Sequence, residues 1–379
     1  MGIKGLSKLL GDQAPGCMTE HELKTFFGRK IAIDASMSIY QFLVTVRSAG
    51  DSMTNKDGEV TSHLIGLFYR TIRLIEMGIK PVYVFDGKPP AMKSGELQKR
   101  TQAKQAAADL AKKAEEEGDQ DNYEKYNRRV NTVSKSMLEQ CKTLLRLMGV
   151  PVVEAPCEAE AQCVELTKSG KVYATASEDM DALTFGTPRL IRQLWAGAST
   201  TAEKNKIRPV EISLDAALDE LHLTMDQFRD LCILCGCDYV NSIKGIGPNK
   251  ALKLVQEHKT LESIVALLEK DKKYQIPEEF PIDAVRGLFI SPEVTPSDEI
   301  DLEWKPPQED ELVQFMCVEN QFSEKNVRNG VEKIRASKGK AGQMRLDSFF
   351  KPQPSKTIKK AAPKKVNFSA RGGKGKAKK

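Results

Sequence analysis

The sequence lacks any run of apolar residues that approaches the roughly 20 needed to cross a bilayer. Its first residues, MGIKGLSKLLGDQAPG, are too poor in apolar side chains for a secretory signal, and Leu6 stands where a myristoylation signal requires Ser or Thr. We therefore expect no membrane association. The 379 residues, 40% hydrophobic and 29% charged, suffice for one large or two modest domains with a sizeable core.

Recognisable zinc and nucleophile motifs are also missing. Three of the eight cysteines, Cys232, Cys235 and Cys237, cluster in LCILCGCDYV, but no second cysteine pair follows at ligand spacing. We interpret them as reduced core residues on an apolar helix. The four histidines form no Ser-His-Asp or Cys-His arrangement, which disfavours catalysis by such a nucleophile.

Acidic residues are absent from residues 351–379, which contain eleven Lys and Arg residues. Since the whole chain carries a net charge of +6, residues 1–350 carry −5. The basic character therefore belongs to a tail that we predict to be disordered, and it is no evidence that the body binds nucleic acid. Such a tail is typical of a nuclear localisation signal, of a nonspecific DNA contact, or of both.

Three buried strands are predicted, and each ends at aspartate. KIAIDAS ends at Asp34, KPVYVFDGKPP ends at Asp86, and KVYATASEDMD, from Lys171, leads to Asp179 and Asp181. Helical patterns such as SHLIGLFYRTIRLIEMG alternate with them, which predicts an α/β fold with a mostly parallel, twisted central sheet and helices on both faces. Ligands bind such sheets beyond the carboxyl ends of the strands, so a shared site is favoured over unrelated turn aspartates.

Residues 93–117 are rich in helix formers, but Leu97 and Leu110 are their only large apolar residues. Such a helix buries little surface and should be mobile on its own. It is either a solvated surface helix or a basic arch that orders on a partner. Lys93 and Arg100, seven residues apart, lie on one face of it.

Two further segments contribute acids. EAPCEAEAQCVELTKSG predicts a helix with Pro156 in its first turn, and Glu158 and Glu160 near the N-terminus either compensate the helix dipole or join the strand-end aspartates. Asp238 follows the apolar helix of LCILCGCDYV, and GIGPNKAL then places two glycines before a new helix. This pattern predicts a helix-hairpin-helix-type DNA-binding element that holds a phosphate backbone.

Together these segments bring seven acids into one candidate cluster: Asp34, Asp86, Glu158, Glu160, Asp179, Asp181 and Asp238. Unit charges about 4 Å apart repel by about 4 kcal/mol at an effective dielectric constant near 20, so the cluster requires cations. Mg²⁺ prefers oxygen ligands, and two such ions about 3.5–4 Å apart can activate a water and stabilise the leaving oxygen of a phosphoryl displacement.

Two rival hypotheses remain open. A phosphatase-like hydrolase would use DMD as nucleophile and acid through an aspartyl-phosphate, but it leaves the other acids and the hairpin unexplained. A non-catalytic scaffold that joins DNA to a clamp has no need of acids that would repel a DNA backbone. The two-metal hydrolase explains more of the pattern than either rival.

Seven motifs carry a resemblance to a known family: MGIKGL, IAIDAS, VFDGKPP, CEAEAQC, EDMDALTFG, GCDY and GIGPNKA. In order and spacing they resemble the XPG-like, structure-specific 5′ nucleases, in particular the eukaryotic flap endonucleases, over residues 1 to 350. The resemblance implies a Mg²⁺-dependent 5′ flap endonuclease and 5′–3′ exonuclease of Okazaki fragment maturation and long-patch base excision repair.

The same resemblance implies residue roles. One Mg²⁺ would be held by Asp34, Asp86, Glu158 and Glu160. The other Mg²⁺ would be held by Asp179, Asp181 and Asp238, and Mn²⁺ would be able to substitute. The catalytic cations of the mobile arch would be Lys93 and Arg100. The DNA contacts would be Tyr40, Arg47, Arg70, Glu158, Gly236, Asp238, Gly245 and Gly247. A K⁺ ion would accompany the hairpin element.

Small departures from the family pattern concern neighbouring positions. Cys157 and Cys237 precede Glu158 and Asp238 where serine is common, which would make the site sensitive to oxidation if the thiols are exposed. Ala103 stands where further basic arch residues are common. Thr187, before Pro188, has the pattern of a proline-directed phosphorylation site.

The segment QMRLDSFF fits a motif that binds the sliding clamp PCNA. Its predicted anchors are Gln343, Leu346, Phe349 and Phe350. The core is expected to be monomeric, with up to three molecules on each trimeric clamp and with branched DNA that carries 5′ flaps as substrate. The expected location is the nucleus, in nucleoplasm and nucleolus, with a further mitochondrial pool.

These features predict six segments along the chain. They are an N-terminal nuclease region (1–105), a helical arch or connector (106–122), an internal nuclease region with the hairpin element (123–258), the C-terminal part of the core (259–336), a linker with the clamp motif (337–350) and the disordered basic tail (351–379).

Overall fold

A computed structural model describes residues 2–48, 61–127, 130, 133–195, 208–271, 273–277 and 279–340, with the side chains of residues 44–48 and 338–340 excluded. The predicted clamp-binding motif at 343–350 and the basic tail at 351–379 lie outside the described residues. The side chain of Arg47 lies outside them as well.

Seven strands form one sheet in the order β1-β7-β6-β5-β2-β3-β4. They are β1 (Met18–Glu20), β2 (Lys30–Asp34), β3 (Lys80–Phe85), β4 (Val152–Glu154), β5 (Ala174–Ala176), β6 (Arg189–Arg192) and β7 (Val210–Ser213). Strands β2 to β6 pair in parallel, whereas β7 is antiparallel to both β1 and β6. The prediction of a mostly parallel α/β sheet is confirmed, and the antiparallel edge was not predicted.

Helices alternate with these strands. In the described residues they are α1 (Leu6–Gln13), α2 (Ala35–Ser48), α3 (Ser62–Glu76), α4 (Ser94–Glu116), α5 (Gln120–Asn127), α6 (Lys135–Leu147), α7 (Ala159–Lys168), α8 (Asp181–Phe185), α9 (Leu214–Leu221), α10 (Met225–Cys235), α11 (Pro248–His258), α12 (Leu261–Glu269), α13 (Ile282–Ile290), α14 (Glu309–Val313) and α15 (Glu324–Lys340). None of the helices in these ranges is both long enough and apolar enough to span a membrane.

The side chains of β2 alternate between two apolar clusters. Ile31 and Ile33 pack in a cluster with residues of α3 and α6, whereas Ala32 packs in another with residues of α7. Because successive strand residues face opposite sides of a sheet, helices cover both faces. A third cluster joins α1, α9, α10 and α11, and it contains the buried cysteines of LCILCGC, as predicted.

The predicted starts of two elements are wrong, and β3 ends at Phe85 rather than at Asp86. The third strand begins at Ala174 rather than Lys171, because its pairing with β2 begins only at Ile31. The helix predicted from Pro156 begins at Ala159, with Glu158 as its N-cap residue. The carbonyls of Pro156 and Cys157 accept hydrogen bonds from the amides of residues 88 and 87, so this stretch is held outside the helix by the loop after β3.

Three predicted segment boundaries fall within helices. The divisions at residues 105 and 122 fall within α4 and α5, and the division at residue 336 falls within α15. Helix α4 buries only small side chains, Ala107, Ala111 and Ala114, and it packs on α5. Its leucines, Leu97 and Leu110, are 36% and 45% exposed, in agreement with the prediction that this helix buries little surface.

Candidate active site

A cavity of about 890 Å³ lies between helix α4 and the carboxyl edge of the sheet. Six of the seven predicted acids line it, namely Asp34, Asp86, Glu158, Glu160, Asp179 and Asp238. The seventh, Asp181, is buried beside them and is 4% exposed. The sheet and the two acid-bearing loops therefore bring together all seven residues that the sequence predicted as a cluster.

Two strands place their aspartates by hydrogen bonds to neighbouring backbone. Asp34 is the last residue of β2, and its Oδ1 accepts from the amide of Met37 at 3.0 Å while its Oδ2 accepts from Ser177 Oγ at 3.2 Å. Asp86 follows β3, and its Oδ1 accepts from the amide of Ala159 at 2.9 Å. Asp86 therefore caps helix α7 and ties the end of β3 to the segment that carries Glu158.

This capping bond decides between two interpretations of the acids at the start of α7. Glu158 occupies the N-cap position, but its side chain makes no capping hydrogen bond. Asp86 supplies that bond instead, and Glu158 and Glu160 both line the cavity with the strand-end aspartates. Their place beside the other acids favours a shared site over dipole compensation alone.

The remaining acids come from two loops. Asp179 Oδ1 accepts from the amide of Asp181 at 3.1 Å, and Asp181 begins the short helix α8. Asp238 lies just after α10, within the loop that leads to α11. Gly2 lies against Asp179 and Asp181, and a Cβ atom at this position would stand 1.6 Å from Asp179 Oδ1. Its φ of +71° also favours glycine, so only glycine fits here.

The acids disfavour one another's charged forms. Burial and the nearby Asp86 carboxylate raise the pKa of Asp34 to about 7. Burial, followed by Asp34, raises the pKa of Glu160, and burial, followed by Asp179 and Asp238, raises that of Asp181. The cavity thus has too little positive charge for its carboxylates, which is the electrostatic setting that a bound cation relieves.

Cations of the helix α4 region lie directly over these acids. Lys93 Nζ donates to Glu158 Oε1 and stands 3.5 Å from Asp238, and Arg100 Nη2 donates to Asp238 Oδ2 at 2.7 Å. Burial alone would lower the pKa of Lys93, but the carboxylates of Glu158 and Glu160 outweigh it and raise that pKa. Both predicted catalytic cations therefore neutralise two of the predicted metal ligands.

The donor set fits hard divalent ions, although it is not arranged as a closed metal site. In the described ranges no group of three or more His, Cys, Asp or Glu side chains stands ready to hold a metal ion. The carboxylates of Glu158 and Asp238 are engaged by Lys93 and Arg100 instead. Asp181 Oδ1, however, is a buried oxygen without a hydrogen-bond partner, and oxygen atoms are the ligands that Mg²⁺ prefers.

The predicted DNA contacts Tyr40 and Arg70 differ in where their side chains lie. Tyr40 lines the same cavity as the acids. Arg70 is engaged within the protein: Nη1 donates to the carbonyl of Ser38 at 3.0 Å, and its guanidinium lies 5.4 Å from the ring centre of Trp195. Burial lowers the pKa of Arg70.

The glycines of the predicted hairpin lie between α10 and α11. Gly236 and Gly245 have φ of +104° and +86°, conformations that favour glycine. Gly247 is the N-cap residue of α11, and a Cβ atom there would meet nothing within 4 Å. Its open surroundings leave the N-terminus of α11 accessible.

Several residues at the site were not predicted from the sequence. Ser177 bonds Asp34, Tyr239 donates its hydroxyl hydrogen bond to Glu158, and Lys99 donates to Asn241 at 2.5 Å between the arch and the loop after α10. Gly2 and Tyr239 belong to the MGIKGL and GCDY motifs, so the sequence marked these positions but did not indicate what the two residues do.

Thr187, the residue with the phosphorylation-site pattern, is fully buried and donates a hydrogen bond to Thr175. Cys157 and Cys237, the two cysteines next to proposed metal ligands, are also buried.

Comparisons with known proteins agree with this geometry. The XPG N-terminal domain model matches residues 1–107, and the XPG I-region model matches residues 149–238. The chain is 54% identical over 360 residues to Flap endonuclease 1 of Nematostella vectensis. The aligned region covers 95% of this chain and 94% of that protein.

Solved structures share the fold. The flap endonuclease-1 from Methanococcus jannaschii superposes with a TM-score of 0.66 at 33% identity, over 87% of this chain and 98% of that chain. The catalytic core of Rad2 in complex with DNA substrate has a TM-score of 0.66 at 25% identity, over 88% of this chain and 100% of that chain.

The family models cover the strands, loops and arch that supply the acids and the arch cations. Nucleases of this family use divalent metal ions such as Mg²⁺, in agreement with the oxygen-rich donor set. With more than half of its residues identical to those of a flap endonuclease along nearly its whole length, the chain belongs to the XPG family of nucleases and, within it, to the flap endonucleases.

Proposed function

We propose that this chain is a two-metal 5′ flap endonuclease and 5′–3′ exonuclease that acts in Okazaki fragment maturation and long-patch base excision repair. The observation that carries the proposal is the set of seven acids at one edge of the sheet beneath Lys93 and Arg100. Acids at this position would repel a phosphate backbone unless divalent cations lie between them. A hydrolase that binds divalent metal ions and DNA together accounts for both the acids of the cavity and the cations above them.

The acids divide into two ligand groups. One divalent ion, Mg²⁺ or Mn²⁺, would be held by Asp34, Asp86, Glu158 and Glu160, and a second by Asp179, Asp181 and Asp238. When bound, the ions supply Lewis-acid stabilisation of charge on phosphodiester oxygens and lower the pKa of water. The chain's own contribution is orientation: hydrogen bonds from Met37, Ser177 and Ala159 fix the carboxylates of Asp34 and Asp86 before any ligand arrives.

Lys93 and Arg100 would bind the scissile phosphate. As placed, they neutralise Glu158 and Asp238, so their charged groups already point into the cavity. Once these carboxylates are neutralised otherwise, the two cations become free to hold the phosphate and to stabilise the charge that develops on it. Both groups would thus come from the start of the arch, Lys93 as the N-cap residue of α4 and Arg100 from its second turn.

DNA would be recognised by its shape and its backbone rather than by base edges. Tyr40, at the wall of the cavity, would stack on a base beside the cleaved bond, and Arg47 and Arg70 would contact the duplex. The loop between α10 and α11, with Gly236, Gly245, Gly247 and a K⁺ ion, would hold the downstream backbone at the N-terminus of α11. This helix begins with an open glycine N-cap, which leaves room for a phosphate.

The C-terminal region would recruit the sliding clamp. Residues 343–350, anchored by Gln343, Leu346, Phe349 and Phe350, would bind PCNA, with a monomeric core and up to three molecules on one trimeric clamp. The basic residues 351–379 would direct the protein to the nucleus, in nucleoplasm and nucleolus, with a mitochondrial pool.

The proposal is tested with a labelled double-flap DNA, incubated with Mg²⁺ or with EDTA beside a blunt duplex and a single strand. We expect Mg²⁺-dependent cleavage at the flap junction that is much faster than on either control DNA. Flap binding without cleavage in Mg²⁺ would contradict the proposal and would instead support a non-catalytic scaffold.

A further inference from the structure

Tyr239 occupies a rigid position between the two groups of acids. It follows Asp238 directly and is 5% exposed. Its ring centre lies 5.0 Å from that of Phe289, which lies 5.2 Å from that of Phe185 at the end of α8. Since aromatic pairs at these distances favour defined orientations, the ring of Tyr239 is fixed by packing against α13.

The hydroxyl of Tyr239 reaches an acid of the other group. It donates to Glu158 Oε2, while Lys93 Nζ donates to Glu158 Oε1. Both oxygens of this carboxylate are therefore engaged, one by the cation of Lys93 and one by a neutral donor on a packed ring. The Glu158 side chain makes no capping hydrogen bond to α7, so these two donors determine where it points.

Substrate binding would affect the two donors to Glu158 differently. Under the proposed function, Lys93 leaves Glu158 to bind the scissile phosphate, and Glu158 then loses one of its donors. Tyr239 cannot leave in the same way, because its ring is held by Phe289.

We propose that Tyr239 is a positioning residue, which keeps Glu158 turned toward the first metal position when Lys93 moves to the substrate. Because Tyr239 is joined to Asp238 by one peptide bond, it also couples the two ligand groups. This inference rests on the proposed function, since it assigns Glu158 to metal binding. Outer hydrogen-bond partners of metal ligands commonly change metal affinity or activity by about 10–100-fold.

Tyr83 provides a matched control. It is fully buried, and its hydroxyl makes a 2.9 Å hydrogen bond with Thr71 Oγ1 inside the apolar cluster behind the sheet. Tyr239→Phe and Tyr83→Phe each remove one buried hydroxyl hydrogen bond. Only Tyr239→Phe removes a contact to a proposed metal ligand.

The experiment is a Mn²⁺ titration of the DNA-free, full-length protein, followed by the electron paramagnetic resonance of free Mn²⁺. We expect Tyr239→Phe to weaken Mn²⁺ binding by about 10-fold and Tyr83→Phe to leave it unchanged. Combined with Lys93→Ala, the effect of Tyr239→Phe should exceed 10-fold, because Glu158 then has no donor at all. In a Glu158→Gln background, Tyr239→Phe should add nothing.

The outcomes separate this inference from the proposed function. Unchanged Mn²⁺ binding in Tyr239→Phe, or an equal loss in the Glu158→Gln background, would overturn the positioning role. A wild-type protein that binds no Mn²⁺ would overturn the metal assignment itself. If Tyr239→Phe does not fold, Phe289→Leu decides: it keeps the hydroxyl but removes the aromatic face that orients it, and weaker Mn²⁺ binding is again expected, whereas unchanged binding overturns the inference.

Discussion

Individual carboxylates in the cavity differ in how well the protein satisfies them. Asp34 and Asp86 accept hydrogen bonds from backbone amides, whereas Asp181 Oδ1 is buried without a partner. Burial, together with Asp179 and Asp238, raises the pKa of Asp181. A buried charge without a partner costs stability, so Asp181 is the residue at which metal binding and stability should oppose each other most clearly.

Asp181→Asn should therefore have opposite effects on stability and activity. Without metal, the substitution removes a repelled charge and should raise the melting temperature by a few degrees. With Mg²⁺, it removes a proposed ligand, so cleavage of flap DNA should fall by about 100-fold or more while flap binding persists. Thermal unfolding in EDTA and cleavage assays in Mg²⁺ measure the two effects.

Asp283→Asn is the control for this prediction, because its side chain is 97% exposed on α13. It should change neither the melting temperature nor the cleavage rate. Wild-type turnover by Asp181→Asn would contradict the assignment of this residue to a metal.

Residue contacts across long separations were the part of the site that sequence patterns did not predict. The convergence of Asp34, Asp86 and Asp179 followed from parallel strands, because such strands end at one edge of a sheet. The contact of Tyr239 with Glu158 joins residues 81 positions apart through loop geometry, which has no periodic signature in the sequence. Gly2 similarly owes its role to a close approach that only tertiary structure creates.

Under the proposed function, helix α4 would carry a catalytic role although it buries little apolar surface of its own. It buries three alanines, while its Arg100 reaches Asp238 beneath. We expect Arg100→Ala to lower flap cleavage by about 100–1000-fold, because it removes the cation proposed to stabilise developing charge on the phosphate. It should also lower the melting temperature in EDTA, since Asp238 loses its partner. Mg²⁺ should remove this difference in melting temperature from the wild type.

Lys113→Ala supplies the matched control on the same helix. The Lys113 side chain is 69% exposed and pairs only loosely with Glu117, at 3.7 Å. Neither cleavage nor the EDTA melting temperature should change in this variant by more than the small effect of a surface ion pair. Equal effects of the two substitutions would show that general helix charge, rather than the position of Arg100, matters.

The helices behind the hairpin are joined by a buried ion pair. Arg286 of α13 donates to both oxygens of Asp230 on α10, at 3.0 and 3.1 Å, and to Glu262 of α12 at 2.8 Å. The Asp230 side chain is only 5% exposed. Arg286→Ala should therefore destabilise the protein by about 3–5 kcal/mol, because it leaves a buried carboxylate unpaired.

Chemical denaturation measures this loss, with Lys305→Ala as the control. The Lys305–Glu303 pair is exposed, at 67% and 73%, and should contribute at most about 1 kcal/mol. Adding Asp230→Asn to Arg286→Ala should recover part of the stability. If the single variant loses no more than the control, the pair does not join these helices.

Element boundaries could be predicted where the local pattern of apolar residues determines them. The predictions were wrong where hydrogen bonds from distant parts of the chain determine the boundary. The short buried run of β2 was predicted correctly to end at Asp34. The start of α7 was predicted from Pro156, but hydrogen bonds from the loop after β3 hold that residue, and Asp86 supplies the cap at Ala159. Capping by a residue 73 positions away lies outside any local pattern.

At the scale of the whole molecule, charge is divided between the body and the tail. Residues 1–350 carry a net charge of −5, and residues 351–379 contain eleven cations and no acid. The described body ends with helix α15 at Lys340, and the clamp motif follows within ten residues. Catalysis, clamp binding and nonspecific attraction to DNA are therefore expected to reside in separable parts of the chain.

Replacing the two phenylalanines of the clamp motif tests this separation. Phe349→Ala with Phe350→Ala should abolish stimulation by the trimeric clamp but leave cleavage without the clamp unchanged, because both aromatic anchors lie beyond the body that carries the acids. The measurement is the ratio of flap-cleavage rates with and without clamp. Deletion of residues 351–379 is the control: it should keep clamp stimulation and weaken the salt dependence of DNA binding, since fewer cations then contact phosphates. Unchanged stimulation in the double variant would place the clamp contact elsewhere on the protein.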